Sequence, residues 1–238
     1  MKMTKNHSFR PLFLCSRERG FEGVRVGLII AAFLLIIVPV SAQQAAMYKS
    51  VKIDTTKIIS QDELGNIADR IFNRYYKSIY DAEEKNLIEK QLMLLENSSD
   101  DLLETAQGLS SSGVFMAGSG ISKNVSMAIT SKVVLLFPRD TLIVNNFGAM
   151  LRLSDSVETS LPVLLYARKL YPAAPVILTN LANTLFELHD DHSAEVLYKQ
   201  ALLINPDYTL ANQGLVSVYL KRKDLEKAVA QIKPFYPR

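Results

Sequence analysis

His189 and His192 stand three residues apart among Glu187, Asp190, Asp191 and Glu195, and they are the strongest candidates for chemistry in this sequence. Two imidazoles on one helix face can share a zinc ion, but the ion needs at least a third protein ligand. A helix boundary expected between the two histidines separates their faces, so a solvated turn is the primary reading. A metal-binding protein or enzyme built on the His189/His192 turn is the alternative. Gly118-Ser119-Gly120-Ile121-Ser122-Lys123 invites comparison with a phosphate loop. The phosphate-cradling pattern requires Gly, four residues, then Gly-Lys-Ser/Thr, and the dinucleotide pattern requires Gly where Lys123 stands, so an inter-helix turn fits better. No Gly-x-Ser-x-Gly elbow occurs to present a serine nucleophile. The single cysteine, Cys15, precedes an apolar run, and once that run is removed the chain carries no thiol for a disulfide or a thiolate metal site. No catalytic residue, metal ligand or cofactor is assigned, and the chain does not read as an enzyme.

The elements around these residues say more. The 238 residues are 48% apolar and 21% charged, an ordinary globular balance that excludes disordered, collagen-like and disulfide-stapled classes. Of the 27 basic residues, Lys2, Lys5, Arg10, Arg17, Arg19 and Arg25 lie before Ala42, whereas only Glu18 and Glu22 of the 24 acidic ones do. The rest of the chain is nearly neutral, which removes the electrostatic footprint expected for nucleic-acid binding.

Val26 to Ala42 is uncharged and follows a basic stretch. Pro39 breaks the apolar segment, and Val40-Ser41-Ala42 supplies the small residues of a cleavage site, so residues 1–42 read as a signal peptide cut before Gln43. An exported chain, periplasmic or extracellular, follows. The alternative is an uncleaved membrane anchor over residues 26–42, since about 17 apolar residues suffice for a tilted span.

Pro138, Pro172 and Pro206 are spaced by 34 residues, a period that signals a repeat. On that register LIVNNFGAMLRL (142–153) lies over VILTNLANTLFEL (176–188) and LANQGLVSVYL (210–220), each with apolar residues at helical spacing. A second amphipathic set follows each, at 161–171, 194–204 and 226–236. Ser156, Asp190 and Asp224 recur before the second helices as expected caps. The residue before each proline is pushed out of the α region, which ends the helix. Gly148 and Ala182 in first helices, and Ala194 and Ala228 in second helices, let the two helices of a pair approach.

These residues resemble the tetratricopeptide repeat. Leu178, Leu181, Ala182, Leu185, Ala194, Tyr198, Ala201 and Pro206 occupy its signature positions, as do Phe147, Gly148, Leu151, Ala167 and Pro172 before them and Leu215, Tyr219 and Ala228 after them. The family's tryptophan is replaced by Val144, Leu178 and Asn212. The resemblance covers residues 141–238 and implies an all-α helical-hairpin solenoid, with residues 107–140 as a degenerate fourth repeat. Within the latter, helices are expected at 108–118 and 121–137.

Ahead of the repeats, Ser60 and Glu63 form a capping-box pattern, and Leu64, Ile67, Ile71, Tyr75 and Ile79 make one stripe. Residues 60–106 are therefore an amphipathic helical region, either a long rod or a hairpin across 81–86, and residues 43–59 a tether. As a structural alternative, 60–106 would form an assembly stalk.

The resemblance implies a protein or peptide partner on the concave face lined by first helices. Candidate groove residues are Asn145, Ala149 and Arg152, then Thr179, Asn183 and Phe186, then Gln213, Ser217 and Leu220. The family's carboxylate clamp needs lysines where Thr179 and Glu187 stand, so that role is not implied. Lys221, Arg222, Lys223 and Lys227 read as a solvated face beside Asp224 and Glu226. With no further polar helix after the third pair, the last pair is expected to be covered by a partner or by self-association.

Overall fold

The computed structural model describes residues 53–97, 101–118, 123–154 and 156–232. The expected signal or anchor, residues 1–42, lies outside the described residues, as does residues 43–52 of the tether. The chain divides into a unit Met1–Val51 and a unit Lys52–Arg238, and all that follows concerns the second. Among the described residues no helix is long and apolar enough to cross a membrane.

Ten helices and no strands occur among the described residues: α1 (Gln61–Lys77), α2 (Ala82–Asn97), α3 (Leu102–Gly118), α4 (Lys123–Leu136), α5 (Thr141–Leu153), α6 (Val157–Leu170), α7 (Pro175–Glu187), α8 (Asp191–Ile204), α9 (Thr209–Lys221) and α10 (Leu225–Ile232). They pair as α3/α4, α5/α6, α7/α8 and α9/α10, and each second helix also leans on the next first helix. The fold is a tetratricopeptide-like solenoid of helical hairpins.

Local chemistry sets the boundaries. Ser60 Oγ accepts from the Glu63 amide while the Glu63 carboxylate accepts from the Ser60 amide, closing the expected capping box on α1. Asp190 caps α8 through the Ser193 amide, stabilising that helix by about 0.5–2 kcal/mol, and Asp224 caps α10 through the Lys227 amide. Ser156 departs from the expectation. It makes no cap bond to α6, its hydroxyl lying instead 3.5 Å from the Ser154 carbonyl. Pro138, Pro172 and Pro206 each fall two residues beyond a second helix.

Pairs close where side chains are small. A Cβ added to Gly148 would lie 2.6 Å from the Leu164 side chain, so glycine there lets α5 and α6 pack with Leu164 between them. A Cβ on Gly113 would lie 2.5 Å from Thr130 Oγ1, which explains how the Gly- and Ser-rich α3 still packs on α4. At the expected tryptophan positions Val144, Leu178 and Asn212 are all buried. Asn212 keeps its amide satisfied by donating to the Pro206 carbonyl and accepting from Gln231.

Upstream, the chain breaks at Ser78–Asp81, where Ile79 is buried, so 60–97 is not one rod. Helix α1 packs on α4, and α2 packs on α3 and α4. The stripe Leu64, Ile67, Ile71 and Tyr75 joins the same core as Val125, Ile129 and Val133, so the apolar face offered above to an assembly stalk is buried within this chain. The tether reading also changes over 53–59. That extended segment buries Ile59 and packs Ile53 against the cluster formed by Leu164, Leu165 and Leu178.

Candidate interaction surface

The first helices α3, α5, α7 and α9 lie side by side, and polar contacts cross from each to the next. Asn146 Nδ2 donates to Ser111 Oγ at 3.3 Å, and Asn180 Nδ2 donates to Asn145 Oδ1 at 2.9 Å. Arg152 forms an ion pair with Glu187, and the Lys221 ammonium sits 4.7 Å from the Phe186 ring centroid. Every one of these pairs is 35 residues apart. A residue meets the neighbour of its own repeat equivalent, because successive hairpins stack with a one-residue stagger in register.

This ladder changes the availability of the candidate residues. Asn145 is 2% and Thr179 1% exposed, so both lie inside the stack rather than on its face. Both were expected to line the groove. The short side chains at these positions let the next first helix close over them, and the Asn145 amide that was expected to meet a peptide meets Asn180. Ala149 is buried as well. Asn183 accepts from the Tyr198 hydroxyl at 2.5 Å, Arg152 is held by Glu187, and Phe186 lies beneath Lys221. Gln213 is exposed, while Ser217, which donates to the Gln213 carbonyl, and Leu220 are half-buried.

Three aliphatic side chains stay open on the first turns of successive first helices. Leu142 is 40%, Val176 37% and Leu210 55% exposed, and their numbers differ by 34. The same period that identified the helices could have identified this row, since it recurs at the second position of α5, α7 and α9. Leu153 and Glu187 are exposed at the far ends of α5 and α7.

Three members of the basic cluster are held by partners. Lys221 pairs with Asp191, Arg222 with Glu195 and Lys227 with Asp224. Two of these bonds cross from α9 to the preceding α8, so they join hairpins. Hydrogen bonds from Lys199 and Arg222 hold the Glu195 carboxyl below its ordinary range. Burial pushes the Tyr198 hydroxyl above its ordinary range.

His189 follows α7 with a φ of 65°, and its ring Nδ1 lies 3.3 Å from Lys221 Nζ. His192 is exposed in the first turn of α8. Among the described residues no three His, Cys, Asp or Glu side chains come close enough to hold a metal ion. Sequence reasoning missed Ser160. Buried in α6, it donates to the Gly148 carbonyl at 2.8 Å and meets Thr184 Oγ1 at 3.2 Å, tying α5, α6 and α7 together.

Among solved structures 43 chains match this one. One is described as "MamA RS-1 ArsTM double mutant", at 17% identity and a TM-score of 0.49, with 74% of this chain and 93% of that chain covered. No family model and no curated protein matches the sequence.

Proposed function

We propose that this chain is an exported protein-interaction scaffold that holds a segment of a partner protein along the concave face of its first helices, without catalysis of its own. The row Leu142, Val176 and Leu210 carries the reading. Packed helices lie about 8–10 Å apart, so the row offers apolar contacts at that interval. A polyproline II segment has three residues per turn and advances about 3.1 Å per residue, so an apolar side chain at every third position would meet the row. Gln213 beside it supplies both a donor and an acceptor for a peptide backbone. Arg152 is paired with Glu187 and Lys221 with Asp191, which suits an uncharged contact segment. Export rests on the uncharged run Val26–Ala42 and its small-residue ending.

Proximity crosslinking followed by capture of the full-length chain tests the surface. Changing Leu142, Val176 and Leu210 together to Asp, with helical circular dichroism unchanged, is expected to remove a defined set of captured proteins. Retention of the whole set by the folded triple variant would refute the groove. Cell fractionation with N-terminal sequencing tests export, for which a mature terminus at Gln43 is the expected result and a cytoplasmic intact chain the refuting one.

A further inference from the structure

Residues 53–59 form neither helix nor strand and run beside α6. At the α1 end, Ile59 is buried in the cluster that holds Leu64 and Ile67. At the other end, Ile53 is half-buried against the separate cluster of Leu164, Leu165 and Leu178. The segment therefore bridges two cores with one isoleucine in each. Between these ends it stands off the helix, leaving a cavity of about 290 Å³ between Asp54, Lys57 and Ile59 on its own side and Leu161, Pro162 and Leu165 of α6. Its hydrogen bonds are local, the Thr56 amide and hydroxyl both donating to Asp54 Oδ1 at 2.9 and 2.6 Å. Among the described residues no main-chain hydrogen bond ties 53–59 to the helices.

From this we infer that residues 53–59 are a strap that opens at its Ile53 end while Ile59 stays in the core, uncovering the α6 floor of Leu161, Pro162 and Leu165. The two ends differ in what holds them. Ile59 adjoins the Ser60 and Glu63 capping box, which fixes the chain to α1. Ile53 has no such bond beside it among the described residues. Local opening costs least where few apolar contacts and no main-chain bonds are broken, so the strap releases from Ile53. Lys57 and Ile58 are exposed, and the chain can turn there without disturbing either core. Closing is favourable because Ile53 and the floor leave water together. Leu165, which lines the cavity, is 4% exposed with the strap in place. The chain ahead of Lys52 is covalently joined to the helices through this strap, so a partner or a pull acting there reaches the repeats first at Ile53. Access to α6 thereby depends on the state of the upstream chain. The device shares no residue with the concave row and stands apart from the groove reading.

Thiol labelling with an aryl disulfide tests it in the full-length chain with Cys15→Ser as background. Leu165→Cys reports on the floor, and Ile129→Cys, buried in α4 within the cluster that holds Ile59, reports on the core that stays closed. Adding Ile53→Ser is expected to speed labelling of Leu165→Cys at least tenfold and to leave Ile129→Cys within about twofold, with helical circular dichroism unchanged. With Ile53 in place, labelling of Leu165→Cys is expected to rise less steeply with urea than labelling of Ile129→Cys, because releasing a strap exposes less surface than unfolding. Equal acceleration of both thiols by Ile53→Ser, or equal urea slopes, would overturn the inference, since the floor would then open only with the whole chain. No acceleration of Leu165→Cys would overturn it as well, because the strap would not cover the floor. Loss of the helical signal in Ile53→Ser would overturn it too, because a strap must release without unfolding the helices.

Discussion

The ring of Tyr198 occupies the space in front of Gly214. A Cβ built on that glycine would lie 2.3 Å from both Cε1 and Cζ of the ring. Tyr198 belongs to α8 and Gly214 to α9, so the contact fixes how closely one hairpin approaches the next. The ring is buried and its hydroxyl is tied to Asn183, which leaves it little room to swing aside. Gly214→Ala is therefore expected to destabilise the protein by about 1–3 kcal/mol through overpacking, outweighing the gain in helix propensity of about 1 kcal/mol. Urea unfolding followed by circular dichroism measures the balance. A net stabilisation would show that the hairpins can separate without loss.

His189 and Lys223 are equivalent residues, 34 apart, and both adopt a left-handed backbone with φ of 65° and 61°. That conformation costs a side-chain-bearing residue about 1–2 kcal/mol. Lys223→Gly is expected to raise stability by about 1 kcal/mol, offset in part by the greater entropy of glycine in the unfolded chain. Thermal melting of the single variant reads this directly, with an unchanged or lower midpoint as the contrary result.

Buried Asn145 and half-buried Asn180 form an amide pair across α5 and α7. Asn145→Ala removes one partner and is expected to cost about 1–3 kcal/mol, because the amide of Asn180 loses its acceptor. Since the two costs describe one bond, the double variant with Asn180→Ala should cost less than the sum of the singles. Strict additivity in a double-mutant cycle would show that the bond contributes nothing.

The Glu195 carboxyl is held below its ordinary value of 4.5 by hydrogen bonds from Lys199 first and Arg222 next. A depressed folded-state value means that the group contributes stability above pH 4.5 and loses it as pH falls through the lower folded value. The melting midpoint is expected to fall more steeply below about pH 4.5 in the parent than in Glu195→Gln, which lacks the titrating group. Parallel pH profiles would assign the acid sensitivity elsewhere.

Much of this architecture was legible in the residues, for a reason visible at particular positions. Leu178, Leu181 and Leu185 declare a helix by spacing alone, and Pro138, Pro172 and Pro206 declare its period, because both signals are local and repeat. The capping box at Ser60 and Glu63 was legible for the same reason. Ser156 was misleading, since its residue type suits a cap but its backbone does not place the hydroxyl on α6. The break at Ser78–Asp81 left no Gly or Pro to mark it and is fixed by Ile79 entering the core.

The interaction surface divides along the same line. The sequence by itself determined which residues lie on first helices, and with the 34-residue period it determined that Leu142, Val176 and Leu210 are equivalent. Only the tertiary structure decided that Asn145 and Thr179 are enclosed while that aliphatic row remains open. Burial at a position depends on the stagger of the next hairpin, and here that stagger brings each residue onto a partner 35 positions away. Helical periodicity fixes the direction of a side chain about its own axis and carries no information about how far the neighbouring helix slides past it.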